Sequence, residues 1–170
     1  MATTFTKIAS VTVGSGGAAS IDFTSIPGTY TDLCVKLSTR LNGSAATVRT
    51  SFNGSASGYS ECMLYTNASS GPYGAARSGT YVEWMYSDGT LNTANTFNSA
   101  DVYIPNYAGS NNKSFSIDNA NETNGTADQI ININAGLWSN SAAITSITFT
   151  TGSTSFVQYS TATLYGISKS

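Results

Sequence analysis

The chain contains no histidine and little charge of either sign. Seven Lys and Arg stand against nine Asp and Glu, so 9% of its 170 residues are charged, where an ordinary soluble domain carries about 25%. Without histidine the commonest general base is missing, and neither a Ser-His-Asp nor a Cys-His arrangement can be assembled. The two cysteines, Cys34 and Cys62, cannot supply the four ligands of a zinc site. The cations are scattered from Lys7 to Lys169 in a chain of net charge −2, so no basic patch exists to neutralise phosphates, which argues against nucleic acid. No apolar run approaches the roughly 20 residues of a spanning helix, which argues against a membrane. The opening Met1-Ala-Thr-Thr-Phe5 has no cationic segment leading into an apolar one, so no signal peptide is visible. The expectation is synthesis in a reducing cytoplasm with both thiols free.

Small uncharged polar residues take the place of charge. Serine, threonine, asparagine and glycine occur 26, 24, 15 and 16 times, yet 40% of the chain is hydrophobic, with ten Tyr and seven Phe. That is enough apolar area to offset the entropy of ordering a single domain over residues 1–170.

Period-two alternation recurs along the chain and no helical pattern does. Ile8 to Val13 and Ile21 to Thr24 flank the turn Gly14-Ser-Gly-Gly-Ala-Ala19 and read as a first strand pair. Leu33, Val35 and Leu37 alternate with Asp32, Cys34 and Lys36. Val48, Thr50 and Phe52 lie between the turn dipeptides Asn42-Gly43 and Asn53-Gly54, which predicts a hairpin. Val102 and Ile104 lead into Pro105, which ends a strand or marks an edge. Phe115 and Ile117, Ile131 and Ile133, and Ile147 and Phe149 each alternate with polar residues. Leu33, Val35, Ile131, Ile133, Ile147 and Phe149 are therefore the expected core. Phe156 to Ile167 is apolar on both parities, as in a central strand or at a bulge. About ten short strands predict an all-β, antiparallel β-sandwich of jelly-roll type.

Residues 55–98 depart from this grammar. Gly58, Gly71-Pro72, Gly74 and Gly79 punctuate the segment, and Tyr59, Tyr65, Tyr73, Tyr81, Trp84 and Tyr86 fall within it. It reads as a less regular insertion whose aromatics either cap one end of the sandwich or meet another chain.

Candidate chemistry is sparse. Most of the nine carboxylates are isolated, with Asp22, Asp32 and Asp101 on solvent-facing parities. The loop Asp118 to Asp128 offers oxygen ligands, including Glu122, but lacks the spacing of an EF-hand. Gly14 to Gly17 has no lysine placed to reach a phosphate and no helix after it. No catalytic residue, metal or cofactor is expected.

Four segments carry a resemblance: Ile8 to Pro27, Val102-Tyr-Ile-Pro-Asn-Tyr-Ala-Gly-Ser110, Ala135-Gly-Leu-Trp-Ser-Asn140, and Phe156-Val-Gln-Tyr-Ser160 with Leu164-Tyr-Gly-Ile167. Together and in this order they resemble small virion proteins of tailed bacteriophages. The resemblance implies a non-enzymatic β-sandwich of the particle exterior: a capsid decoration or cement protein, assembled in the host cytoplasm, bound to the major capsid protein as a homo-oligomer, most simply a trimer. Within it, Tyr59, Tyr65, Tyr73, Tyr81, Trp84 and Tyr86 are the expected interface. The alternative is a tail or fibre component with a lectin-like glycan-binding surface.

Overall fold

The computed structural model describes residues 4–43, 46–67, 70–87, 93–124 and 129–168, with backbone alone at 46, 67, 70 and 84–87. Among them are twelve strands and no helix: β1 (Phe5–Thr12), β2 (Ser20–Phe23), β3 (Asp32–Ser38), β4 (Ala46–Phe52), β5 (Tyr59–Asn67), β6 (Ser70–Gly79), β7 (Val82–Ser87), β8 (Ser99–Ile104), β9 (Lys113–Asn121), β10 (Ile130–Trp138), β11 (Ile147–Thr151) and β12 (Thr161–Ile167). They form an antiparallel β-sandwich. The large sheet runs β1-β12-β3-β8-β9-β10-β5-β6 and the small sheet β2-β11-β4-β7.

Alternation explains most of the core. Leu33, Val35, Leu37, Val102, Ile104 and Leu164 point inward from the large sheet, and Ile21, Phe23, Val48, Phe52, Ile147 and Phe149 meet them from the small one. Asp22 is exposed, and Asp32 and Asp101 stay half-buried on the outer side of their strands. β8 stops at Ile104, immediately before Pro105, whose ring has no N–H to give a ladder.

Two expected hairpins are arches instead. β1 pairs with β12 and β2 with β11, so the Gly-rich turn carries the chain from one sheet to the other. Likewise β3 and β4, on either side of Asn42-Gly43, lie in different sheets, and Asn53-Gly54 leads from β4 in the small sheet to β5 in the large. A turn dipeptide fixes a reversal of direction, whereas partner choice depends on which face must be buried. The adjacent pairings fall elsewhere, between β5 and β6 and along β8, β9 and β10.

The strand β10 corrects the expected core. Ile131 and Ile133 are 60% and 55% exposed, while Asn132 and Asn134 are buried. Ile130 and Trp138 share the asparagines' parity, and burying the Trp138 indole fixes the register of the whole strand. Its ring stacks on Tyr59 at 6.1 Å and lies 5.7 Å from Phe52, which meets Phe115 edge-on at 5.1 Å. Gly136 makes this cluster possible, because a Cβ there would lie 2.4 Å from the Phe115 ring.

Residues 55–98 are also more regular than their composition suggests, since they contain β5, β6 and β7. β6, Ser-Gly-Pro-Tyr-Gly-Ala-Ala-Arg-Ser-Gly, is an edge strand that pairs, among the described residues, with β5 alone. An edge position tolerates glycine and proline because one side of the backbone makes no ladder.

Candidate functional site

Two features are placed by this fold: a buried polar chain inside the sandwich and an uncovered face outside it. The chain begins where the Thr39 N–H donates to Asn98 Oδ1 (2.8 Å). Asn98 Nδ2 donates to Asn119 Oδ1 (2.9 Å), Asn119 Nδ2 to Asn132 Oδ1 (2.7 Å), and Asn132 Nδ2 to Asn134 Oδ1 (2.7 Å). Asn134 Nδ2 then donates to Glu61 Oε2 at 3.2 Å. Each amide donates at one end and accepts at the other, so the row has a direction and its last N–H needs an acceptor. The Glu61 carboxylate fills that position.

Glu61 continues into an ion-pair cluster at the corner where the chain passes from β6 to β7. Its Oε1 lies 3.0 Å from Arg77 Nε, and Arg77 Nη1 lies 2.8 Å from Glu83 Oε2. Glu83 Oε1 accepts from Thr47 Oγ1 and from Arg49 Nε (3.2 Å). The Arg49 guanidinium lies 4.4 Å over the Tyr81 ring. Glu61, Arg77, Tyr81 and Glu83 border a hollow of about 230 Å³. Burial pushes the Glu61 carboxyl above its ordinary range, opposed by Arg77 and the Asn134 hydrogen bond. Burial acts on Glu83 too, but the Thr47 and Arg49 hydrogen bonds and the charges of Arg49 and Arg77 outweigh it and hold the group low. All four carboxylate oxygens are engaged, so the cluster ties β4, β5, β6 and β7 together and leaves neither acid free to relay a proton to a ligand.

The expected aromatic interface is divided by the structure. Tyr59 belongs to the core: it is 2% exposed, its hydroxyl accepts the Phe52 N–H at 2.8 Å, and its ring has no surface to offer a partner. Tyr65 and Tyr73 face each other across β5 and β6 with centroids 5.3 Å apart, and Tyr73 is 55% exposed. Tyr81 is half-buried under Arg49. The side chains of Trp84 and Tyr86 lie outside the described residues.

The outer face of the large sheet is the second feature. Among the described residues, Phe5, Leu64, Tyr103, Ile131 and Ile133 stay exposed on it, five of seven exposed large hydrophobics. Cross-strand pairing sets Lys36, Asp101, Asp118, Ile133, Leu64 and Gly74 in one row across six strands. Lys36 pairs with Asp101.

The thiols are far apart. Cys34 on β3 is buried, which raises its pKa, and Cys62 on β5 is exposed; both are free. Four strand spacings separate them, about 19 Å, well beyond the roughly 7 Å limit for a bridge. Of the oxygen-rich loop, Asp118 lies within β9, Glu122 Oε1 accepts the Asn124 N–H at 2.8 Å, and Asp128 is outside the described residues. Among the described residues no three His, Cys, Asp or Glu side chains gather to hold a metal.

Sequence reasoning missed the buried chain. Its signal was present as amides two apart on neighbouring strands, Asn119 and Asn121, Asn132 and Asn134. No family of proteins matches the chain, and no curated protein or solved structure matches it either.

Proposed function

We propose that the chain is a non-enzymatic structural protein of a tailed-phage particle, a capsid decoration or cement protein on the head exterior. The observation that carries this reading is the outer face of the large sheet, where five large hydrophobics remain exposed. Apolar surface gathered on one face marks a site for another macromolecule. The engaged carboxylates of Glu61 and Glu83 support a structural role over catalysis. The jelly-roll form is part of the proposal: β1-β12-β3-β8 and β2-β11-β4-β7 alternate between the sheets as two interleaved Greek keys would, with β5-β6 and β9-β10 as additions that widen one sheet.

In this reading the protein is a homotrimer whose subunits meet near Tyr65, Tyr73 and Tyr81, with Trp84 and Tyr86 following Tyr81 on β7, and whose outer face meets the major capsid protein. Repetition on a shell multiplies weak contacts through effective concentration. Gel densitometry of purified virions tests it: hundreds of copies per particle are expected, a few dozen would place the protein in the tail, and absence would overturn the reading. Sedimentation tests the trimer, which Tyr73→Ala should weaken while leaving the thermal transition in place.

A further inference from the structure

We infer that the half of the outer face formed by β8, β9, β10 and β5 docks a protein segment in which lysine or arginine stands among aliphatic residues. The proposal deepens the structural reading above and rests on it only for the identity of the partner.

A shallow groove of about 310 Å³ crosses this half-face, bordered by Asp101, Asp118, Ala120, Ile131 and Ile133. Its aliphatic side continues into Leu64, which pairs with Ile133 and is itself 55% exposed. Its acidic side is formed by Asp101 and Asp118, set directly opposite each other on β8 and β9. Like charges in opposed positions destabilise a sheet. Lys36 pairs with Asp101, but no partner for Asp118 is found among the described residues. The groove thus combines aliphatic contact with one uncompensated carboxylate. A lysine or arginine fits both, with its methylenes along Ile131 and Ile133 and its charge at Asp118.

Charge argues against a second copy as the occupant. β8 and β9 are the fourth and fifth of eight strands, so a copy packed face to face over the middle of the sheet sets Asp101 and Asp118 against their own counterparts. Four carboxylates would then share the two Lys36 ammonium groups. An uncharged aliphatic partner would strand Asp118 beneath it, at the cost of desolvating an unpaired charge.

The test uses the full chain and two synthetic pentapeptides that alternate isoleucine with lysine or with glutamate, titrated by amide NMR. The lysine peptide should shift resonances of Asp101, Asp118, Ile131, Ile133 and Leu64 in a salt-sensitive manner, and the glutamate peptide should not. Asp118→Asn should weaken lysine-peptide binding about tenfold, the effect of one contact charge pair. Ile133→Ser should weaken it comparably, with both variants keeping the wild-type thermal transition. No shift with the lysine peptide, equal shifts with both peptides, or shifts confined to another surface would each overturn the proposal. So would sedimentation showing that Ile133→Asp splits an oligomer, because the occupant would then be a second copy. The virion copy number fails or succeeds independently: a lysine-selective groove in a protein absent from particles would leave this inference standing and remove only the partner's identity.

Discussion

The two halves of the large sheet bury different chemistry behind the same strand grammar. On β12, β3 and β8 the inner face is aliphatic: Ala162 and Leu164, then Leu33, Val35 and Leu37, then Ala100, Val102 and Ile104. On β9, β10 and β5 it becomes an amide row ending in a carboxylate, Asn119, Asn132, Asn134 and Glu61, flanked by the aromatic cluster of Phe115, Trp138 and Tyr59. The first half is held by burial, which is non-directional and tolerates repacking. The second is held by hydrogen bonds that work only as a complete set, because each buried amide left without its partner bears its full desolvation cost. A β-sandwich can therefore change the basis of its cohesion from one strand to the next without changing its backbone.

Substitutions can break that contrast. Leu33→Ala on the aliphatic side should cost about 2–5 kcal/mol in chemical denaturation, because Leu33 is fully enclosed. Asn132→Ala on the amide side should cost about 2–3 kcal/mol, since it strips partners from both Asn119 and Asn134. The sharper measurement is non-additivity. Replacing Asn119, Asn132 and Asn134 together by leucine should destabilise by much less than the three single replacements combined, and additive costs would show that the amides act independently.

The acidic terminus of the row adds a pH dependence that the aliphatic half lacks. Because burial raises the Glu61 pKa, between the ordinary and the raised value the folded state holds a proton that the unfolded chain has released. Glu61's contribution to stability is therefore complete below the ordinary value of 4.5 and is lost as pH rises through the raised one. Glu83, held low, contributes in the opposite sense and loses its share as pH falls. Melting curves across mildly acid pH should show the first decline in wild type and not in Glu61→Gln; identical profiles would mean that Glu61 is ionised throughout. The smallest effect is expected outside the sandwich, where Ile133→Ser should change stability by about 0.5 kcal/mol or less.

Much of the fold was legible in the sequence and the amide row was not. β3 and β8 announce themselves because one parity is wholly apolar, and β9 and β11 because Phe115 and Ile117, and Ile147 and Phe149, alternate with polar residues. β10 misleads because Ile131, Ile133 and Leu137 outnumber Ile130 and Trp138 along the strand, and parity is decided by the bulk of a single indole at the strand's far end. β6 was obscured by three glycines and a proline that an edge strand accommodates. The arches at Gly14 to Ala19 and Asn42-Gly43 could not be told from hairpins, since the dipeptide chemistry is common to both and only the three-dimensional core chooses between them. Of the six aromatics, Tyr59 was the hardest to place, as its ring partners Phe52 and Trp138 lie on two other strands.

The pairing of β1 with β12 has a consequence of connectivity. Phe5 lies opposite Ile167, and the Ser168 N–H donates to the Thr4 carbonyl at 3.1 Å, so the two ends of the described chain sit side by side on one rim. Such proximity is the geometric condition for circular permutation. A short bridge across that rim would close the polypeptide into a ring, and the chain could then be opened at the exposed Asn53-Gly54 turn with the order of strands in both sheets unchanged.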